Sequence, residues 1–552
     1  MSIRSATRLV ESIAVLASLL VFASLGASAC TTLLVGSAAT TDGSTFVTYS
    51  CDGGIFAALR IQPAEDHAPG STVTIYADPQ FYDPAAPPAV VALGSIPQVL
   101  HTFRYLDALA GPTYTHVGGM NEHGVSISET TLVAARPELS NPRGLLAPFS
   151  ACPERSLMTL ALQRARTARE AILVIGSLAE TYGYSSPFPI DGEQLAISDG
   201  IEVWSMEIFG PGAAWRAGCG EPGAVWCAQR VPDGHVGISA NRSRIGEIDL
   251  ADSEQFLASP NATSLARRMG WWDPDRDGPF VWCAAYAPGA PEGSLLREWR
   301  VFDLVAPSLD LSPDGPLPFS AAPDRPLATA DVMAIQRDLL EGTPFDVTAA
   351  SAFSIGGSTS PLACPMCSQT LYALLGLEPE RTINSRRSSF SALYQTRSHA
   401  PDALRGCAWY GFGPAATSCY VPIYTGATAL PSAWGSTDLA HGDLSLPFWT
   451  MILPGYLAAA QWQSAFPDIR SLRGPAESAF LEEQLELSTR VTEWEIDDEP
   501  VATRLNAYTA DRLNAVSDGF RDLSTRLLID YVVELGAFLP GLVPTIGLPP
   551  LP

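Results

Sequence analysis

Positive charge is scarce in this 552-residue chain: 33 basic side chains stand against 58 acidic ones, for a formal net charge of −25. No basic cluster rises above Arg386-Arg387, which argues against nucleic acid and anionic membrane surfaces as partners. Long apolar runs are missing too. Beyond residue 29 nothing passes for a transmembrane helix, because the apolar C-terminus is broken by repeated prolines. Metal motifs are equally thin. There is no HExxH, and only one CxxC, Cys364-Pro-Met-Cys367. The stretch Asp273-Pro-Asp275-Arg-Asp277-Gly278 begins like an EF-hand loop but has Ala284 where the twelfth-position Glu belongs. No metal and no other cofactor is expected. The GxSxG serine elbow is absent as well.

What is present is the composition of a folded protein, 47% hydrophobic and 9% aromatic, with 45 glycines and 46 prolines that imply many turns. Residues 1–29 read as a secretory leader: Arg4 and Arg8, an apolar stretch from Ile13 to Leu25, then Ala27-Ser28-Ala29 as a small-x-small cleavage site. The expected location is therefore outside the plasma membrane, periplasmic or extracellular. All ten cysteines lie at or after Cys30. The close pairs Cys219/Cys227, Cys364/Cys367 and Cys407/Cys419 are candidate disulfides in such a compartment, with connectivity left open.

Along the chain, 30–36 and 45–52 read as two strands joined by a turn at 40–44, and 63–100 as a loop excursion. Asn121-Glu122-His123-Gly124 reads as a turn before a strand. Helices are expected from Arg155 and again after Thr167, where Glu170 completes a capping-box pattern. A hairpin follows over 193–210 around Ser198-Asp199-Gly200, then short strands over 223–248. The second half reads as less regular, with loops near 286–295 and 306–327, short helices near 330–340 and 367–375, and a mostly helical stretch over 475–535. Strands, helices and strands again, without strict alternation, indicate an α+β fold.

A cleavage after Ala29 would make Cys30 the first residue of the mature chain. Such a cysteine carries a nucleophilic thiol and, in its own α-amino group with an unperturbed pKa of about 7.7 to 8.0, a base that needs no histidine. Two other fates compete. The leader could be cut elsewhere, or Cys30 could be the acylated cysteine of a lipoprotein, although Ala27 stands where such leaders usually carry Leu.

"CTTLLVG", "DGSTFVTYSCDGG", "GGMNEHGVSISETT", "VWSMEIFGPGAAW", "VPDGHVGISANRSRIGEIDL", "WWDPDRDGPF" and "RTINSRRSSFSALYQTRS", in this order, resemble peptidase family C69, the dipeptidase A-like and secernin-like members of the N-terminal nucleophile (Ntn) hydrolases. The resemblance implies a four-layer αββα sandwich and hydrolysis of dipeptides through a thioester. It places the nucleophile on Cys30 and the aspartate that orients the free amine on Asp52. It gives Asn121 and Asn241 the support of the oxyanion. Arg242 and Arg244 are candidates to grip a substrate carboxylate. The penicillin and bile-salt amidase branch has an arginine three residues before that aspartate; here the position is Tyr49. The implied organisation is a leader (1–29), a catalytic domain (30–475), a helical region packed on it (476–535) and a proline-rich tail (536–552). Small peptides are the expected partners, with homo-oligomerisation left open. The rival functions are an amidase for other linear N-acyl amides and a lipid-anchored, non-catalytic envelope protein.

Overall fold

The computed structural model describes residues 30–53, 56–78, 91–111, 113–186, 192–437, 442–494 and 499–538, with side chains to 530. The leader read from the sequence lies outside these residues, as does the tail beyond 538; 536–538 belong to the last helix. The opening hairpin forms as expected: Thr32–Val35 (β1) and Thr45–Asp52 (β2) pair antiparallel with Leu34 opposite Val47. Asp42 closes the turn by accepting the Ser44 amide at 3.1 Å, an Asx turn. The strands Ala57–Gln62 (β3), Tyr105–Ala110 (β4), Thr115–Asn121 (β5) and Ser126–Leu132 (β6) follow. The excursion read as a loop contains a short antiparallel pair, Thr72–Tyr76 with Ala92–Pro97.

Two helices come next, Leu157–Leu162 (α1) and Ala168–Tyr182 (α2). Thr167 caps α2 by accepting the Glu170 amide at 3.2 Å, while the Glu170 carboxylate takes the amide of Arg166, one residue before the cap. Gly192–Ser198 (β7) and Val203–Phe209 (β8) form the expected hairpin, followed by Val225–Val231 (β9), Val236–Ser239 (β10) and Phe256–Ala258 (β11).

The second half is more regular than its sequence suggests. Ser294–Val305 (α3) is a helix between the expected loops. After the short strand Ser320–Ala321 (β12) come three fully buried strands, Ser388–Thr396 (β13), Gly406–Phe412 (β14) and Val421–Tyr424 (β15). Burial on both faces removes the alternation by which a strand is read. Pro447–Ala458 (α4), Trp462–Trp494 (α5) and Val501–Phe538 (α6) complete the described chain. The boundary read after residue 475 falls inside α5.

The fold is α+β, with two large antiparallel sheets. One runs β12-β10-β1-β2-β13-β14-β15 and the other β11-β9-β8-β7-β6-β5-β4-β3. Val47, Tyr394, Leu106, Met120 and Ala196 from both sheets share one apolar cluster. Side-chain hydroxyls cross between the sheets: Ser128 donates to the Thr48 carbonyl at 3.0 Å, and Thr130 and Ser239 share a hydrogen bond at 2.5 Å. Leu157, Leu160, Ile172 and Ile175 of α1 and α2 pack with Ile127, Ile197 and Trp204 of the second sheet. Phe448 of α4 lies 5.7 Å, ring to ring, from Phe412 of the first. Gln484 of α5 donates to Gln395 of β13 at 3.1 Å, and Glu477 pairs with Arg337, so the C-terminal helices are fastened to the sheet by polar as well as apolar contacts. Every non-histidine cation in these contacts is an arginine, because the chain contains no lysine. Several guanidinium groups lie over rings, Arg337 on Tyr420 at 4.7 Å and Arg169 on Trp204 at 4.8 Å.

Strand β5 passes through a tight place at Gly118 and Gly119, with φ of +121° and +149°. A Cβ on Gly119 would be driven into the Leu106 carbonyl oxygen of β4. Gly119→Ala is expected to lower unfolding free energy by about 3 kcal/mol or more. At Gly43, with φ +71° but open space around it, the same change should cost about 1 kcal/mol. Urea denaturation of the two variants checks the difference.

Candidate active site

The hairpin register builds the site. Thr31 bridges Ser50, whose amide donates to the Thr31 carbonyl at 3.1 Å. Continuing that register sets Cys30 opposite Cys51, the neighbour of Asp52, whose charge acts on the Cys30 thiol. Cys30 is buried, and its thiol hydrogen-bonds Cys51 and lies 3.6 Å from Glu129 Oε1. The Cys51 contact, burial and the negative charge of Glu129 and Asp52 all push the Cys30 thiol well above its ordinary pKa. In this state it is a neutral thiol. Glu129 also takes a short hydrogen bond from Tyr49 and another from the Glu193 side chain. Burial raises its carboxyl, and these donors together with Cys30 hold it back.

Asp52 accepts from Ser388 Oγ at 2.5 Å and forms an ion pair with Arg381. Burial raises its carboxyl, opposed first by Arg381 and then by Ser388, Arg297 and Arg387. Arg297, on α3, is wholly buried. It donates to the carbonyl of Cys30 and to Thr31 Oγ1, both at 2.9 Å, to the Ala240 carbonyl at 3.1 Å and to Asn241 Oδ1 at 3.0 Å. Asn241, in a left-handed conformation at φ 68°, donates its Nδ2 to the Thr131 carbonyl at 3.0 Å. Asp52, Asn241 and Arg297 line one cleft of about 710 Å³. Cys30, Asp52 and Asn241, expected to act together, are thus brought together, with Arg297 as the link.

Three other expectations meet contacts of a different kind. The Asn121 Nδ2 donates to the carbonyls of Leu162 and Ala165, both at 2.8 Å. Its Oδ1 accepts the amides of His123 and Val125, both at 3.0 Å. The whole carboxamide is committed to backbone. Arg242 and Arg244 do grip a carboxylate, but it is the chain's own: both pair with fully buried Glu298 of α3. A buried anion needs such partners, and the clamp, with Glu207 accepting from Ser243 and the amides of Arg244 and Ile245, fixes the loop that carries Asn241. The ten cysteines are all free thiols. None of the three candidate bridges is formed, although Cys364 and Cys367 share a hydrogen bond. The EF-hand-like stretch is a turn in which Asp273 caps a short helix and Asp277 pairs with Arg276.

Arg297, Arg381, Glu129 and Tyr49 were not singled out as working residues from the sequence. A family model for peptidase family C69 matches residues 29–473. Dipeptidase A of Lactobacillus helveticus is 24% identical over 464 residues, 83% of this chain and 85% of that protein. "Probable dipeptidase" of Salmonella dublin is 27% identical over 72% of this chain and 81% of its own length. "Probable dipeptidase B" of Lactococcus lactis is 24% identical over 80% and 83%.

Two outcomes separate scaffold from chemistry. Asn121→Ala should lower unfolding free energy by roughly 2–3 kcal/mol, since it strands buried backbone groups, while leaving the activity of the folded fraction unchanged; stability and turnover measured on one preparation decide. Glu129→Gln removes a negative charge beside the thiol, so the Cys30 pKa should fall. The pH profile of alkylation by iodoacetamide should then move to lower pH, and a move in the other direction would refute the assignment.

Proposed function

The chain belongs to peptidase family C69, and on that premise we propose that it is an exported, cysteine-type Ntn hydrolase that cleaves dipeptides through a thioester at Cys30. The two facing sheets, with helices packed on them, would be the αββα sandwich of that superfamily. What supports the reading is the register of the first hairpin, which pairs Cys30 with Cys51 next to Asp52, so that Asp52 would be the carboxylate near the α-amine that cleavage after Ala29 creates. The dipeptidase names of the relatives support the substrate class.

Cleavage changes the electrostatics around Cys30. A new α-ammonium next to the thiol offsets the charges that hold it neutral, and Asp52 is placed to accept a hydrogen bond from it. In its unprotonated form the amine takes the thiol proton as Sγ attacks the scissile carbonyl carbon. The carbonyl π pair becomes the oxyanion, steadied by neutral donors of which the Asn241 carboxamide is the candidate. As the oxyanion collapses, the C–N bond breaks and the ammonium protonates the departing amine. That releases the C-terminal amino acid and leaves the N-terminal residue as a thioester. Water, deprotonated by the same amine, attacks the thioester; the second amino acid leaves and the proton returns to sulfur. Arg297 holds the Cys30 carbonyl still throughout. Among the described residues no helix is long and apolar enough to cross a membrane.

The amine is testable by an accident of composition. With no lysine in the chain, a protein starting at Cys30 has a single primary amine. Formaldehyde treatment of secreted protein is expected to add one CH2 bridge, closing a thiazolidine across the Cys30 amine and thiol with loss of water, as a +12 Da shift of the N-terminal peptide, and to abolish dipeptide hydrolysis in proportion. Cys30→Ala should be folded and inactive. Full activity in either preparation would overturn the mechanism, and an acylated Cys30 in the unmodified protein would favour the envelope-protein role.

A further inference from the structure

The cleft lined by Asp52 and Arg297 carries one cation more than anions although the chain as a whole is strongly acidic. Four arginines, Arg297, Arg381, Arg386 and Arg387, stand there against Asp52, Glu292 and Glu380, in a protein whose 33 basic residues are outnumbered by 58 acids. Two are committed: Arg297 to the carbonyls around Cys30, and Arg381 to Asp52. Arg386 lies over the Tyr456 ring at 5.1 Å, which holds its plane and leaves its edge available. Arg387 is exposed, and among the described residues its guanidinium makes no hydrogen bond or ion pair, although its charge acts on Asp52. Its backbone is nonetheless fixed at the site: its carbonyl accepts the Gly53 amide at 3.2 Å, and Ser388, next in sequence, is the register partner of Asp52 and donates to its carboxylate. An arginine that lines the cleft and is anchored by its backbone one residue from the partner of Asp52 is available to a substrate there.

We propose that Arg387, with Arg386 beside it, binds the substrate's α-carboxylate and so limits cleavage to peptides that end one residue beyond the scissile bond. This rests on the dipeptidase reading above and deepens it. In a dipeptide the terminal carboxylate follows the scissile carbonyl by one residue, about 3.8 Å of chain, so with the scissile carbonyl at Cys30 the carboxylate would fall toward the cleft that Arg297, which holds the Cys30 carbonyl, shares with Arg387. The fork matches a carboxylate with two parallel hydrogen bonds. A longer peptide puts a neutral amide there and leaves the cations unpaired, which makes the same residues reject it. An acidic side chain offers the same chemistry, and the test separates the two sources.

The experiment compares Ala-Ala, its C-terminal amide and the amide of Ala-Glu as substrates for the secreted wild-type protein, Arg387→Ala, Arg387→Lys and Arg386→Ala. In parallel, calorimetry follows binding of the same peptides to the Cys30→Ala protein with and without Arg387→Ala. The wild type is expected to favour Ala-Ala over its amide roughly 10- to 100-fold in kcat/KM, carried by KM. Arg387→Ala should erase most of that preference, lysine restoring part of it and Arg386→Ala costing less. Efficient cleavage of Ala-Glu amide, lost in Arg387→Ala, would reassign the site to acidic side chains and overturn the α-carboxylate role. An undiminished preference in Arg387→Ala would overturn the inference while the dipeptidase reading stands. Arg387-dependent binding of Ala-Ala without turnover in the wild type would do the reverse, and neither binding nor turnover would remove both.

Discussion

The guanidinium of Arg297 is the contact on which the rest of the site depends. It is buried among oxygens of neutral groups, and ties the start of β1, the end of β10 and the first turn of α3 into one unit. A cation in that place is costly. Burial and the nearby Arg381 push its pKa down to about 9, while Asp52 and Glu298 hold it up. It stays charged at neutral pH, and its fixed fork suits several carbonyls at once better than a flexible ammonium would. Moving any one of its acceptors would unbalance the others, so the position of Cys30 is determined by α3 as much as by its own strand.

The surrounding groups can be understood from that centre. Glu298, adjacent to Arg297 in α3, takes both Arg242 and Arg244, so the loop bearing Asn241 is fastened to the helix that holds Cys30. Opposite, Asp52 is balanced between burial and the Arg381 charge. Buried acids and arginines thus occur as interlocked partners rather than as isolated charges, which is the condition under which burial is tolerated. The pairs give the site rigidity.

What the sequence disclosed was local. The opening hairpin, its turn and the closeness of Cys30 to Asp52 follow from residues within one hairpin, and the Thr167 cap announced α2. What it did not disclose was distant in the chain. Arg297 reaches Cys30 across 267 residues, Arg381 reaches Asp52 across 329, and Glu129 reaches Cys30 across 99; no spacing rule joins such pairs. β13 was hidden for the same reason, because it lies beside β2 and is buried along its whole length. Asn121 carries a local signal. In a turn that closes two to four residues later, an asparagine side chain is more often satisfied by the backbone amides ahead of it.

The absence of lysine changes what salt can do to this protein. An ammonium ion pair is a contact between hydrated point charges, and ionic strength screens it where it is exposed. A guanidinium seated on Tyr420, Trp204 or Tyr456 is also held by dispersion and by the ring's quadrupole over a few ångströms, a distance too short for counterions to enter. Added salt therefore weakens the exposed Arg–carboxylate pairs first and the stacked and buried ones least, so that the periphery is more sensitive to ionic strength than the cleft.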